Sequence, residues 1–339
     1  MIIPTRNRAG WLDACLESLA VQHTSRPFEV VVADNASEDD TEDVVRARSR
    51  RDGRFSYVCE EVLGRSAALN AGIAVSQGML LLFTDDDVIL DPGWIEGYAR
   101  HMLSPDGRPH TWDLAGGPLM PVHVELREWP RWLTEDALLE LPSVHHGSQA
   151  RSLSASEIIW GANMAAPKAT FERLGAWDVQ LGHRGEDRGR TWEDLDLQQR
   201  VRKDGGSVGY APEALVWHRT APDFVTQRAV LESAFGRGRN QARWAETSPP
   251  SWTRVSVFLD ERPSRKCSLL DYVSWMWWAL LFRARPAQVG WFTKARAAAW
   301  RSGWALQEML PQPPASLRER VLQKFVHEMR ALALKVSRS

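Results

Sequence analysis

The sequence predicts an α/β fold, a mostly parallel sheet with helices on both faces, and three observations carry that expectation. Apolar runs such as Phe28 to Ala33 (FEVVVA) and Leu80 to Phe83 do not alternate, as in strands covered on both sides. Helical stretches separate these runs at short intervals, which favours parallel strands. The runs end in polar loops, Asp34-Asn35-Ala36-Ser37 and Asp85-Asp86-Asp87, at the edge where open α/β sheets bind ligands.

Taken in order, Met1-Ile2-Ile3 is the end of a first strand and Pro4 to Arg8 the loop after it. Trp11, Leu12, Cys15, Leu16 and Leu19 share one helical face. The FEVVVA strand follows, and Ser37 and Asp40 have the spacing of a capping box for a charged helix to about Arg51. A third strand covers Phe55 to Cys59, and a helix runs from about Ala67 to Val75. The Leu80 strand is fourth. Between Pro118 and Ser156 the pattern is that of a loop-rich insertion, in which the adjacent His145 and His146 lack a third ligand at helical spacing and read as solvated loop residues.

Composition narrows the function classes. The chain has 339 residues, 44% apolar and 25% charged, as in ordinary globular proteins. A net charge of −1 argues against nucleic acid as a partner. Three scattered cysteines, Cys15, Cys59 and Cys267, suggest neither a disulfide framework nor a zinc site and suit a reducing cytosol. The sequence shows no signal-peptide pattern and no run of about 18 apolar residues, so a cytoplasmic protein is expected.

The charge is uneven, however. From Arg262 onward fourteen Lys/Arg face four Asp/Glu, a balance of +10. That region also holds Trp275, Trp277 and Trp278 within an apolar helical stretch, residues 269–282. A basic, Trp-bearing segment would suit peripheral contact with an anionic membrane, and it would equally suit packing on the rest of the chain. We expect residues 221–339 to form a C-terminal helical region.

The stretch LLLFTDDDVIL, residues 80–90, organises the rest. Three consecutive acids have no use inside a helix or strand. At the carboxyl end of a buried strand, carboxylates at alternate positions can hold a hard divalent cation, which can hold a diphosphate. A solvated loop with a capping Asp is the structural alternative. No Lys or Arg occurs between Met79 and Arg100, which leaves these acids without a local cation.

Six motifs in order, IPTRNR (3–8), VVVADNAS (30–37), GRSAALNAG (64–72), LLFTDDDVILDPGW (81–94), WGANMA (160–165) and EDLDLQQRVRKDGGSVGYAPEALVWH (193–218), resemble the family 2 glycosyltransferases of the GT-A fold. The resemblance covers about residues 1–220, with the donor-binding half at about 1–100 and the acceptor and catalytic half at about 155–220. It implies an inverting enzyme that uses Mn2+ or Mg2+ and a nucleotide-diphosphate sugar, a UDP-sugar by default. The acceptor stays open among glycan, lipid-linked, small-molecule and peptide hydroxyls.

The resemblance also implies roles for residues. Asp34 would accept the N–H of a base, with Thr5, Arg6 and Asn7 lining the same pocket. Arg65 would pair with a phosphate or face solvent, while Asn70 and Gly72 would serve helix packing. Asp85 and Asp87 would form the DxD pair, with Asp87 on the metal, Asp85 on ribose or metal, and Asp86 able to exchange with either. His218 would complete the coordination sphere or simply cap a strand; an imidazole suits Mn2+ better than Mg2+. Trp160, Gly161 and Asn163 would form the acceptor side.

Asp194 would be the catalytic base, supported by Glu193. Its helix N-terminus should favour the anion and keep its pKa low. Thr191 and Asp194 also match a capping box, and Asp196 and Asp187 are competing carboxylates, the latter in the similar Gly185-Glu186-Asp187. A nucleotidyltransferase would want a Gly-rich, Lys-bearing loop after the first strand, which Pro4 to Arg8 does not supply. A non-catalytic sugar-nucleotide-binding protein is the other alternative.

Overall fold

The computed structural model describes residues 1–109, 111–123, 143–183 and 192–222, with residues 221–234 only in part and Arg301 as an isolated position. Nearly all of the C-terminal region, with Trp275, Trp277 and Trp278, lies outside the described residues, as do Asp187 and Thr191.

The described chain is α/β. Strands β1 (Ile2–Thr5), β2 (Val30–Asp34), β3 (Phe55–Cys59) and β4 (Leu80–Thr84) alternate with helices α1 (Ala9–Ala20), α2 (Thr41–Arg51) and α3 (Arg65–Val75). After β4 come β5 (Val88–Leu90), α4 (Trp94–Met102), β6 (Leu114–Gly116), β7 (Leu119–His123), β8 (Arg151–Ser152) and β9 (Asn163–Pro167). Helices α5 (Lys168–Leu174) and α6 (Glu193–Lys203) and strands β10 (Val208–Tyr210) and β11 (Val216–Thr220) complete the described elements.

The main sheet has the order β3-β2-β1-β4-β9-β6-β10-β8. Its first four strands are parallel, β9 runs against both its neighbours, and β8 runs against β10. The first four strands therefore end at one edge, where the register sets Thr5 beside Asp34 and Thr84 beside Asn163. Because β9 enters from that edge, Trp160 and Gly161 also stand there. Ile2, Ile3, Val30, Val32, Leu81 and Phe83 fill the core with Leu12, Leu16 and Leu19 of α1, as the unbroken apolar runs require. Gly72 is a packing residue, since a Cβ there would sit 2.5 Å from Ile2 Cγ2.

A second, three-stranded sheet, β5-β11-β7, was not legible in the sequence. Its pairing of β11 with β5 puts His218 opposite Val88, one residue beyond the three aspartates. His218 is thus inside a strand rather than at its end. The expected capping box of α2 is also replaced. Asp39 accepts from the backbone N–H and hydroxyl of Thr41, while Ser37 turns back to the β1 loop and accepts from Asn7 N at 2.8 Å.

Candidate active site

Three side chains from two distant segments converge at the carboxyl edge. Asp85, Asp87 and His218 each present one ligand atom, all within 4.8 Å of one another. The β5–β11 pairing makes this happen, reinforced by Arg219 N donating to Asp87 O at 2.8 Å. Asp87 Oδ1 is buried with no hydrogen bond and stands 3.3 Å from His218 Nε2. A carboxylate oxygen and an imidazole nitrogen so placed are a pair of atoms that a cation can join. Two carboxylates and an imidazole suit Mn2+ better than Mg2+. The donor set therefore fits a divalent metal.

Asp86 is different. It is 3% exposed, accepts from Thr5 Oγ1 at 2.8 Å and pairs with Arg8 at 2.9 Å. Asp86 is thus tied to the first loop, whereas Asp85 and Asp87 each present an oxygen to the group with His218. Burial, with Asp87 beside it, pushes its carboxyl up to about 7 in spite of Arg8.

The expectation that these acids lack cationic partners is corrected by the fold. Arg8 pairs with Asp87 at 2.8 Å as well as with Asp86. Arg65, buried, holds Asp85 with one nitrogen and Glu193 Oε1 at 2.6 Å with the other. The sequence window around the aspartates contains no cation because both arrive from other loops. Burial alone would raise Asp85, but Arg65 with His218 and Arg8 holds it below the usual carboxylate range. Arg65 is therefore engaged by two acids and only slightly exposed.

The two loops beside this edge are laced together. Asn7, in the left-handed region at φ 52°, accepts from Glu38 N at 2.7 Å, and Arg6 donates to Asn35 O at 3.1 Å. Asp34 is 1% exposed; one oxygen accepts from Ser37 N and Oγ and the other from Tyr57 at 2.8 Å. One lone pair remains for a ligand. Thr5 is committed to Asp86. Tyr57 had no signal in the sequence as Asp34's partner, because the pairing depends on the β2–β3 register, Val32 beside Tyr57.

Across the edge, α6 begins at Trp192, a non-glycine residue at φ 91°. Asp194 Oδ2 accepts from Gly161 N at 3.0 Å and Oδ1 from Leu195 N at 2.8 Å. A low pKa was expected here; instead burial, with Glu193 adjacent, pushes the carboxyl up to about 7. The helix N-terminus does not offset the loss of solvent. Glu193 Oε2 and Trp160 Nε1 are buried with no partner among the described residues. Asp196 pairs with Arg200 at 2.7 Å. Gly161 belongs in this arrangement for a steric reason, since a Cβ would lie 3.2 Å from Arg65 Nη1.

Asn163 does not line an acceptor face. It is 1% exposed, donates to Pro118 O and Ala214 O, and accepts from Trp94 Nε1 and Tyr98. All four of its hydrogen-bonding positions are filled. Asn70 likewise closes a two-way bond with the backbone of Trp177, docking residues 177–183 on α3. His145 is exposed, as expected, whereas His146 is half-buried and bonds Ile158 O at 2.7 Å.

Among the described residues no helix is long and apolar enough to cross a membrane. Comparison with known proteins agrees with the site. Residues 1–108 match the family described as Glycosyl transferase family 2, and residues 80–293 match Glycosyl transferase family group 2. The chain is 29% identical over 252 residues to a validoxylamine A glucosyltransferase of Streptomyces hygroscopicus subsp. jinggangensis, covering 69% of this chain and 57% of that protein. It is 30% identical over 248 residues to the hyaluronan synthase of Pasteurella multocida, covering 66% of this chain and 24% of that one. The chain thus spans little more than half the length of the first relative and about a quarter of the second. In fold it resembles the mannosyltransferase PcManGT of Pyrobaculum calidifontis, solved with GDP-Man and Mn2+, with a TM-score of 0.55 at 17% identity over 92% of this chain and 87% of that one. The chain belongs to the family 2 glycosyltransferases and has their GT-A fold.

Proposed function

We propose that this protein is an inverting, metal-dependent glycosyltransferase that moves a sugar from a nucleotide diphosphate to an acceptor hydroxyl. The observation that carries this reading is the placement of Asp194. It stands at the head of α6, joined through Glu193 and Arg65 to Asp85 of the cation group. A base and a leaving-group site at opposite ends of one short chain of contacts suit displacement at a carbon between them.

Asp85, Asp87 and His218 would hold the ion, which when bound supplies Lewis-acid stabilisation of the departing diphosphate. Asp34 and the loop Thr5, Arg6, Asn7 border the nucleotide pocket, with UDP the default by family. Trp160 and Gly161 border the acceptor. Asp194 takes the proton of the attacking hydroxyl as the new glycosidic bond forms and the sugar–phosphate bond breaks. A pKa near 7 suits this task better than the low value expected from the helix alone, because it keeps a strong base available at neutral pH. Glu193 raises that basicity.

Residues 1–100 would then be the donor half and 155–220 the acceptor half, with 221–339 an appended helical region that packs on the domain or meets an anionic membrane from the cytoplasmic side. Flotation with anionic liposomes at low salt separates these two roles: protein that stays at the bottom is not membrane-attached. Incubation with UDP-, GDP- and dTDP-sugars, followed by product analysis, tests the reaction. Release of the nucleoside diphosphate with inversion at the anomeric carbon supports it, while release of the sugar 1-phosphate would indicate nucleotidyl transfer. A chain that binds sugar nucleotides without turnover would be a binding protein.

A further inference from the structure

The aspartates carry a counter-cation of their own, Arg8, and the metal reading gives that residue no task. Its guanidinium spans Asp86 at 2.9 Å and Asp87 at 2.8 Å. The oxygen it takes on Asp87 is Oδ2, whereas Oδ1 is the one turned toward His218. A cation bound by Oδ1 therefore shares its carboxylate with an arginine. Two positive groups on one carboxylate repel, and in a half-buried site that repulsion exceeds the worth of the single hydrogen bond that orients Asp87.

The arginine is also built to meet an anion. Of its five N–H donors, these two pairs use two. Its side chain is 36% exposed, against 14% for Arg65, and its guanidinium lies 5.5 Å from the ring of Trp11. Arg65 is closed in between two acids; Arg8 meets the aspartates with both terminal nitrogens while its side chain stays partly exposed.

We propose that Arg8 is the second cation of the diphosphate site: it penalises binding of a bare divalent ion and pairs with the diphosphate that arrives with the ion. This rests on the metal-site reading above and adds a consequence to it, that ion and nucleoside diphosphate bind with positive coupling set by Arg8. Reciprocity follows from linkage, so each ligand strengthens the other by the same factor.

The test uses the full chain, its Arg8→Gln variant and its Arg8→Lys variant, each first compared by thermal melting. Mn2+ uptake without nucleotide is followed by the electron paramagnetic resonance signal of free Mn2+. Affinities for UDP and GDP are then measured in saturating Mn2+. Arg8→Gln should bind Mn2+ alone about tenfold more tightly and the nucleoside diphosphate about tenfold more weakly. Arg8→Lys, which keeps the charge, should stay within about threefold of wild type for Mn2+; it carries the test if the Gln variant does not fold, since a large change in its Mn2+ affinity then contradicts the charge argument. Equal or weaker Mn2+ binding by Arg8→Gln, or undiminished nucleotide affinity, overturns the proposal. Failure of the wild type itself to take up Mn2+ is a different result, one that removes the metal site and this inference with it.

Discussion

Arg65 and Glu193, 128 positions apart in sequence, form an ion pair of 2.6 Å between the start of α3 and the start of α6. The same guanidinium reaches Asp85, so one side chain joins the end of β4 to the start of α6. Ordering both partners around one arginine fixes their separation, which is what a displacement between two groups requires.

Removing that arginine should be costly. Arg65→Met leaves Asp85 and Glu193 buried without their counter-charge, and breaking such a pair destabilises by about 3–5 kcal/mol. Urea denaturation of the variant measures this. A loss well under about 1 kcal/mol would mean that the bridge does not hold the two halves together.

Asn163 offers an independent check on the reassignment from acceptor face to core. Asn163→Leu deprives Pro118 O, Ala214 O, Trp94 Nε1 and Tyr98 of their shared partner. Pro118 O keeps Val216 N as a partner, so three buried groups are left unsatisfied, and at about 1–3 kcal/mol each the variant should lose roughly 3 kcal/mol or more. A stable Asn163→Leu protein with weakened acceptor binding would restore the original expectation.

The metal group predicts that Asp87→Ala abolishes Mn2+ uptake and turnover while the fold persists, and that EDTA inactivates the wild type until Mn2+ is returned. Dialysed protein that turns over at full rate in EDTA would leave charge neutralisation at the diphosphate to Arg8.

The raised pKa of Asp194 sets the pH dependence. Burial and Glu193 place it at about 7, so the carboxyl is protonated below that pH and unable to accept a proton. Turnover should fall about tenfold per pH unit below pH 7, as expected for loss of a single base. Glu193→Gln removes one cause of the shift and should move that limb to lower pH. A rate that is flat from pH 7 to pH 5 contradicts the assignment.

Much of the fold was readable because both its signals are local. Unbroken apolar runs named β2 and β4, and helical spacing named α1. The small sheet was not readable, since β5, β7 and β11 are short pieces whose pairing is decided by distant partners. The same division holds at the site. Asp85, Asp87 and His218 could be named from the motif resemblance, and the fold brings them together. Arg8 and Arg65 as their partners could not, because pairing across 79 or 20 residues leaves no trace in local charge. The error on the Asp194 pKa has a similar origin: the helix start is visible in sequence, but burial is a property of the assembled edge.

Transfer with Asp194 as base is tested most directly by nucleoside diphosphate release from a panel of sugar nucleotides in Mn2+, comparing wild type with Asp194→Asn and Asp187→Asn. General-base removal typically costs about 10²–10⁴-fold, and Asp194→Asn should show a loss in that range with nucleotide affinity nearly unchanged. Asp187→Asn should turn over normally. Full turnover in Asp194→Asn together with its loss in Asp187→Asn would place the base in the other acidic cluster and contradict the account.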